Sequence, residues 1–554
     1  MFKSKKLKRV FSIIMTSVLC LFAFSQTICA DEYALNGTIN SALNSALEIM
    51  GGKTEWTTQT AGKIEIDLQS DTGDGSIFTA YRLLDIEKDG SMLKVSIPAD
   101  AQAFWDDYTG VSNATVGSIK SKIKTEGGAT EQSRAIINEF LSFATKPTPI
   151  PSTSVTAGKA QIDTTFGFYA ILQTGAPVNG HIASAPVLAC LPMQDPTDNT
   201  TWLSEFTIVP KDDEISVTKQ VKATGDGNFK DETITNIGDT VTYEIIAKLP
   251  EYGTDIVNAG ITYTLTDELP KGITIQGTPT IELNAKNGIG YTDGSSYTSY
   301  TYTPAAGTDP AKYEVTFNDY KTDINTKYDQ IKITYNAVLN ENAVIERTGN
   351  INNVTLKYSA YKGETQPATA TADAKVYTMG LDIKKVDADN TTTALAGAEF
   401  EVYDNAGGTG APIKFVETTG GGDIQKYRVA TSTDPEDTTT TTIKVTADGT
   451  NIGKLMLDGL NDTTYYLKET TAPAGYTLPK NLVAVDVQPT NPNDYNGTEL
   501  AFDETRLSKE ITNSTSIDLP VTGGIGTVLY TIVGLLLMAG AAYFLFFSRK
   551  RSTK

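Results

Sequence analysis

Apolar and polar positions alternate along much of the chain, and the period of alternation changes near residue 211. Between 31 and 211 the runs KIEIDLQ (63–69), SIFTAYRLLDI (76–86) and FGFYAILQ (166–173) place apolar residues at every second position or nearly so, as strands with a buried face do. Two other stretches, SALNSALEIM (41–50) and EQSRAIINEFLSF (131–143), space them by three and four and predict helices. Beyond 211 the helical spacing stops. Thr, Val, Ile and Tyr dominate, broken by Gly, Asp and Asn, and predict strands joined by tight turns. One strand-rich set runs from 214 to about 358 and another from 376 to about 513. Between them GETQPATATADAK (363–375) is apolar-poor and reads as a linker.

Both ends of the chain break this pattern. Lys3, Lys5, Lys6, Lys8 and Arg9 precede an apolar stretch, 10–24, with a cleavage site expected after Ala30; this is the plan of a secretory leader. At the other end an uncharged apolar run, 525–547, leads into Arg549, Lys550 and Arg551. Twenty-odd residues at about 1.5 Å of rise cross a hydrocarbon core of roughly 30 Å, and predict a transmembrane helix with its basic end in the cytoplasm. A length of 554 residues is too great for one core. The expected organisation is a leader (1–30), a β-rich domain with short helical insertions (31–211), a middle domain with its linker (212–375), a third domain (376–515) and a C-terminal segment (516–554). The fold class expected is mainly β: three tandem immunoglobulin-like sandwiches, judged by size and turn spacing, plus one C-terminal transmembrane helix.

Composition narrows the function. Cys20 and Cys29 depart with the leader, leaving Cys190 alone, so no internal disulfide can harden the exported chain. Removing five basic residues with the leader and four with the tail leaves 37 basic side chains against 66 acidic ones, a net charge near −29. Such a surface disfavours nucleic acid. The one histidine, His181, reads as structural, and its isolation removes most zinc-site and Ser–His–Asp arrangements. No metal site and no cofactor is expected.

Leu519, Pro520, Val521, Thr522 and Gly523 stand just before the apolar run. Motif, apolar span and basic tail in this order resemble the cell-wall sorting signal of Gram-positive bacteria, which a sortase transpeptidase cuts between Thr and Gly. Upstream, TWLSEFTIVPK (201–211) sets Trp202, Phe206 and Ile208 to share a strand face, and Pro210 ends ladder pairing so that Lys211 emerges exposed. The spacing resembles the pilin motif of sortase-assembled pilus backbone subunits, Trp-x-x-x-Val-x-Val-Tyr-Pro-Lys, with Val209 in place of Tyr and Phe and Ile in place of Val. The resemblance implies that the sortase joins Thr522 of one subunit to Lys211 of the next. A free lysine titrates near 10.4, so the base is expected from the enzyme. One donor and one acceptor per subunit make a head-to-tail contact that does not close, hence a fibre.

A second motif is YYLKETTAPAGY (465–476). Tyr465, Leu467 and Glu469 alternate, so Glu469 should point inward among apolar neighbours, where a lone carboxylate is costly. The string resembles the E-box of collagen-adhesin B-type domains at every fixed position, and GLDIKKVDADNTTTALAGAEFEVYD (380–404) resembles their opening strands. The resemblance implies a bond from a first-strand lysine to a last-strand asparagine, with the glutamate as proton shuttle. Alternation with Leu381 and Ile383 turns Lys385 inward rather than Lys384; Asn513, on the face of Ile511, is the candidate partner. Burial is what the chemistry needs: a desolvated amine becomes a nucleophile while Glu469 polarises the amide and ammonia leaves.

The middle set repeats the theme. Lys219 alternates with Ile215 and Val217, Asp267 with Ile261, Tyr263 and Leu265, and Asn352 with Val354, Leu356 and Tyr358. These resemble a fimbrial middle domain in which Lys, Asp and Asn form an analogous bond, although Ala360 stands where an Asn often follows Tyr-Ser. The first domain offers no such triad. The reading is a major shaft pilin of a covalent surface pilus, not an enzyme. Its catalysis would be limited to single-turnover self-crosslinking, with Glu469 and Asp267 as the acid–base groups. Expected partners are sortases, other copies of itself, minor pilins and peptidoglycan, with transient membrane anchoring before sorting and a probable role in adhesion. The alternatives are a monomeric wall-anchored adhesin, an accessory or basal pilin, and a wall-anchored hydrolase for which no catalytic constellation is found.

Overall fold

The computed structural model describes residues 27–28, 42–51, 61–68, 76–177, 180–195, 202–210, 214–253, 256–257, 260–307, 309–345, 348–362, 364–418, 424–488, 506–515 and 525–549. The alternating runs of the first region become the strands Ala61–Asp67, Phe78–Asp89 and Gly167–Gln173. Phe78–Asp89 pairs with Gly167–Gln173, which pairs in turn with Val187–Leu191. Another sheet is ordered Thr27–Ile28, Glu205–Ile208, Ala61–Asp67, Lys159–Thr165, with 205–208 parallel to 61–67.

The expected helices lie at 42–50 and Ala129–Ser142. Two more, Gln102–Thr109 and Val116–Ile123, had no clear periodic signal. In the first, adjacent Phe104 and Trp105 are both buried, which blurs a one-sided pattern. The second has only two buried residues and starts on a Thr115–Ser118 capping box. Trp105 Nε1 donates to Leu83 O (2.6 Å), tying this helical layer to the sheet.

In the middle region, one sheet runs Val217–Ala223, Thr240–Lys248, Tyr328–Leu339, Ile273–Ala285, Gly290–Asp293. The facing sheet runs Glu232–Ile234, Ala368–Tyr377, Asn350–Tyr358, Tyr263–Leu269, Ala311–Phe317, Thr298–Thr303. The stretch 363–375 therefore is not a linker. Its Ala/Thr alternation is the strand Ala368–Tyr377, paired antiparallel with Asn350–Tyr358 along its length. Ala368, Ala370 and Ala372 pack on the core, and alanines this small kept the apolar count low enough to hide the period of two.

The third region opens on Met379–Asp387, flanked by Lys454–Leu460 and, in parallel, by the closing strand Arg506–Asn513. The opposing sheet is Ile443–Lys444, Glu399–Tyr403, Thr464–Thr471, Val483–Asp486. The first region has its own apolar core, whereas the middle and third share a continuous one. Their junction is specific: Asn236 Oδ1 accepts from Tyr465 OH (2.8 Å) and Asn461 N (3.0 Å), and Ile237 N donates to Gly459 O (3.0 Å). Gly459 has φ +88, and a Cβ there would come within 2.8 Å of Ile237.

At the C-terminus the apolar run forms a helix, Ile525–Arg549, with side chains described from Tyr530 to Leu545. Among the described residues no helix is long and apolar enough to cross a membrane.

Candidate crosslinking sites

Period-two geometry delivers Lys385, Glu469 and Asn513 to one place. Lys385 and Asn513 lie on paired parallel strands, in a ladder that runs from Gly380↔Arg506 to Asp387↔Asn513, and Glu469 reaches them from the opposing sheet. All three are buried, Lys385 completely. Lys385 Nζ donates to Glu469 Oε2 (2.9 Å) and to Asn513 Oδ1; Asn513 Nδ2 donates to Glu469 Oε1 (2.7 Å) and to Thr477 O (3.2 Å). The triangle is closed, and it sets the amine against the amide that it would attack. Burial holds the Lys385 amine below the usual lysine range, partly offset by the hydrogen bond and charge of Glu469. Phe400 covers the amine at 5.6 Å from its ring centre. Lys384, facing out, pairs with Glu510 instead (2.8 Å). The turn after Glu469 closes the site: Tyr476 OH donates to Asp387 Oδ2 (2.6 Å), at the end of the lysine strand.

The middle site crosses the sandwich. Lys219 projects from one sheet, Asp267 and Asn352 from the other, and each is no more than 2% exposed. Lys219 Nζ donates to Asp267 Oδ2 (2.5 Å). Tyr335 OH donates to the same oxygen (2.9 Å) and accepts from Asn352 Nδ2 (2.7 Å), so a tyrosine bridges carboxylate and amide. Its inward alternation in IKITYNAV made Tyr335 look like ordinary core, and only the facing sheet reveals its role. Burial pushes the Lys219 amine down to about 8, against the opposing charges of Asp267 and Asp373. Asp267 Oδ1 and Asn352 Oδ1 are buried without a hydrogen-bond partner, each an expense of roughly 1–3 kcal/mol. The neighbouring Asn350 is committed elsewhere: its Oδ1 accepts from Val344 N (3.0 Å) and its Nδ2 donates to Val376 O (3.0 Å).

Lys211 and the sorting motif Leu519, Pro520, Val521, Thr522, Gly523 lie outside the described residues. The segment before Lys211 differs from the single strand expected. It is two short strands, Trp202–Leu203 paired with Met193–Gln194, and Glu205–Ile208 paired with 61–67. The break at Ser204 separates Trp202, half-buried, from Phe206 and Ile208, which share the buried face as expected. Cys190 is buried, and burial pushes its thiol pKa upward. Among the described residues no group of three His, Cys, Asp or Glu could hold a metal.

Residues 379–499 match the prealbumin-like fold domain family, and residues 511–554 match the LPXTG cell wall anchor motif. The trypsin-resistant surface T6 protein of Streptococcus pyogenes serotype M6 is 27% identical over 393 residues, covering 62% of this chain and 70% of that protein. Fimbrial subunit type 1 of Actinomyces viscosus is 25% identical over 423 residues, covering 70% of this chain and 74% of that protein. Among solved structures, the full-length major pilin SpaD of Corynebacterium diphtheriae aligns with a TM-score of 0.47 at 18% identity, over 83% of this chain and 98% of that one. The chain is a backbone pilin of the sortase-assembled, Gram-positive kind. Anchoring of this pilin to the cell wall and its assembly with other pilin subunits follow from that membership.

Proposed function

We propose that this pilin is joined to the next copy by an amide between the Thr522 carbonyl and Lys211 Nζ, and is braced internally by Lys385–Asn513 and Lys219–Asn352 amides. In the first reaction the sortase cysteine attacks the Thr522 carbonyl, the bond to Gly523 breaks, and the resulting thioester is taken by the Lys211 amine with return of the thiol. In the internal reactions the lysine Nζ attacks Asn Cγ, the C–N bond to the amide nitrogen breaks, and ammonia leaves with a proton relayed by Glu469 or Asp267. The chain is thus a sortase substrate that acts on itself once. The closed, buried triangle of Lys385, Glu469 and Asn513 is the observation that carries the internal bonds. Helix Ile525–Arg549 would hold the precursor in the membrane until sorting; peptidoglycan and minor pilins are further partners.

Changing Lys211 to Ala and running boiled wall extracts on a gel tests the shaft assignment. The high-mass ladder is expected to vanish, and a surviving ladder would make the protein a monomeric adhesin or a basal pilin. Each internal bond lowers the intact mass by about 17 Da through loss of ammonia, so an ectodomain at its full sequence mass rejects both.

A further inference from the structure

Strand Glu205–Ile208 leads directly toward Lys211 and has one side paired with 61–67; among the described residues its other side meets only Thr27–Ile28, in parallel, with Thr27 opposite Thr207 and Ile28 opposite Ile208. That contact comes from the segment read as leader, so cleavage after Ala30 would leave a bare sheet edge. Bare edges attract strands. The edge also has a direction. A strand added in parallel runs toward the Lys211 end and delivers its C-terminus there, whereas an antiparallel one would deliver its N-terminus.

The sorting segment suits that edge. In SIDLPVT (516–522) Ile517, Leu519 and Val521 alternate with Ser516, Asp518, Pro520 and Thr522, giving one apolar face in an extended chain. The receiving strand buries Phe206 and Ile208 on one face. Beside it, Ile66, Phe78, Ile171, Val187, Ile208 and Pro210 line a small cleft. Pairing Leu519 and Val521 alongside Phe206 and Ile208 keeps all four on the apolar side, and a one-residue slip would turn the added pair to solvent. Pro520, which lacks an N–H, is tolerated on an edge strand whose free side faces water.

We propose that residues 517–522 of a second copy add to this sheet as a parallel strand beside Glu205–Ile208, on the edge that Thr27–Ile28 occupy before the leader is removed. The proposal rests on the Thr522–Lys211 linkage. It makes strand addition the step that orients the acyl donor.

The test uses full-length pilin in cells that carry its sortases. Ile517 stands two residues before the five-residue motif, so Ile517→Asp should spare recognition by the transpeptidase yet spoil the apolar face. The ladder is expected to fall at least tenfold while single subunits still reach the wall, and Ile517→Val should retain the ladder. In the lysine-linked dimer, amides of 205–208 and 517–521 should exchange hydrogen more slowly than in the monomer. An unchanged ladder with Ile517→Asp, an equal loss of ladder and wall attachment, or unaltered exchange in the dimer would overturn the strand addition. A ladder that survives Lys211→Ala would instead refute the linkage itself.

Discussion

Glu469→Gln preserves the shape of the third-domain site and removes its proton carrier. If Glu469 is the shuttle, the Lys385–Asn513 amide does not form. The two residues are 128 apart in sequence, and closing a loop of that length restricts the unfolded chain by about 5 kcal/mol in the chain-entropy treatment used for disulfides. At roughly 3–4 °C per kcal/mol for a domain of this size, the transition of 379–513 should fall by about 15–20 °C. The substitution also leaves a buried amine without its carboxylate, which adds to the loss in the same direction. Intact mass and calorimetry on the same sample separate the parts: the variant should retain one extra ammonia, about 17 Da after allowing for the substitution, and melt early. Two results refute the reasoning. A variant that has still lost the ammonia shows that Glu469 is not the shuttle, and one that keeps the ammonia but melts normally shows that the bond does not brace the domain.

In the middle domain Asn352→Ala should retain one ammonia whereas Asn350→Ala should not, because Asn350 is spent on Val344 and Val376; peptide mapping distinguishes them. Tyr335→Phe removes the hydroxyl shared by Asp267 and Asn352 and should slow bond formation about tenfold or more, followed by mass against time after refolding. An unlinked Asn352→Ala chain should become more stable as pH rises from about 8 toward 10.4. In that window the unfolded lysine binds a proton that the folded one releases, a gain of about 3 kcal/mol. Denaturant melts should show the rise in the variant and not in the linked protein, whose amide nitrogen does not titrate. Asn236→Ala strips Tyr465 OH and Asn461 N of their shared acceptor and should cost about 1–3 kcal/mol, with the middle and third domains melting apart rather than together in calorimetry.

Alternation alone was enough to turn Lys385 inward and Lys384 outward, and to place Glu469, Asp267, Asn352 and Asn513 on buried faces, because a strand offers only two directions for a side chain. The mostly-β class was legible for the same reason, as were the leader and the sorting signal, which are local strings. Other features depend on neighbours remote in the chain. Ala368–Tyr377 carries too little apolar surface to announce itself, and it is a strand because Asn350–Tyr358 lies beside it. The break at Ser204 follows from pairing with two different sheets. Tyr335 matters only through what the facing sheet sets opposite its hydroxyl. The sequence by itself determined which face each residue takes, since that is a property of the local backbone. Tertiary structure decided which faces meet, and with that whether an amine, a carboxyl and an amide come within bonding reach, since sheet packing brings together residues more than a hundred positions apart.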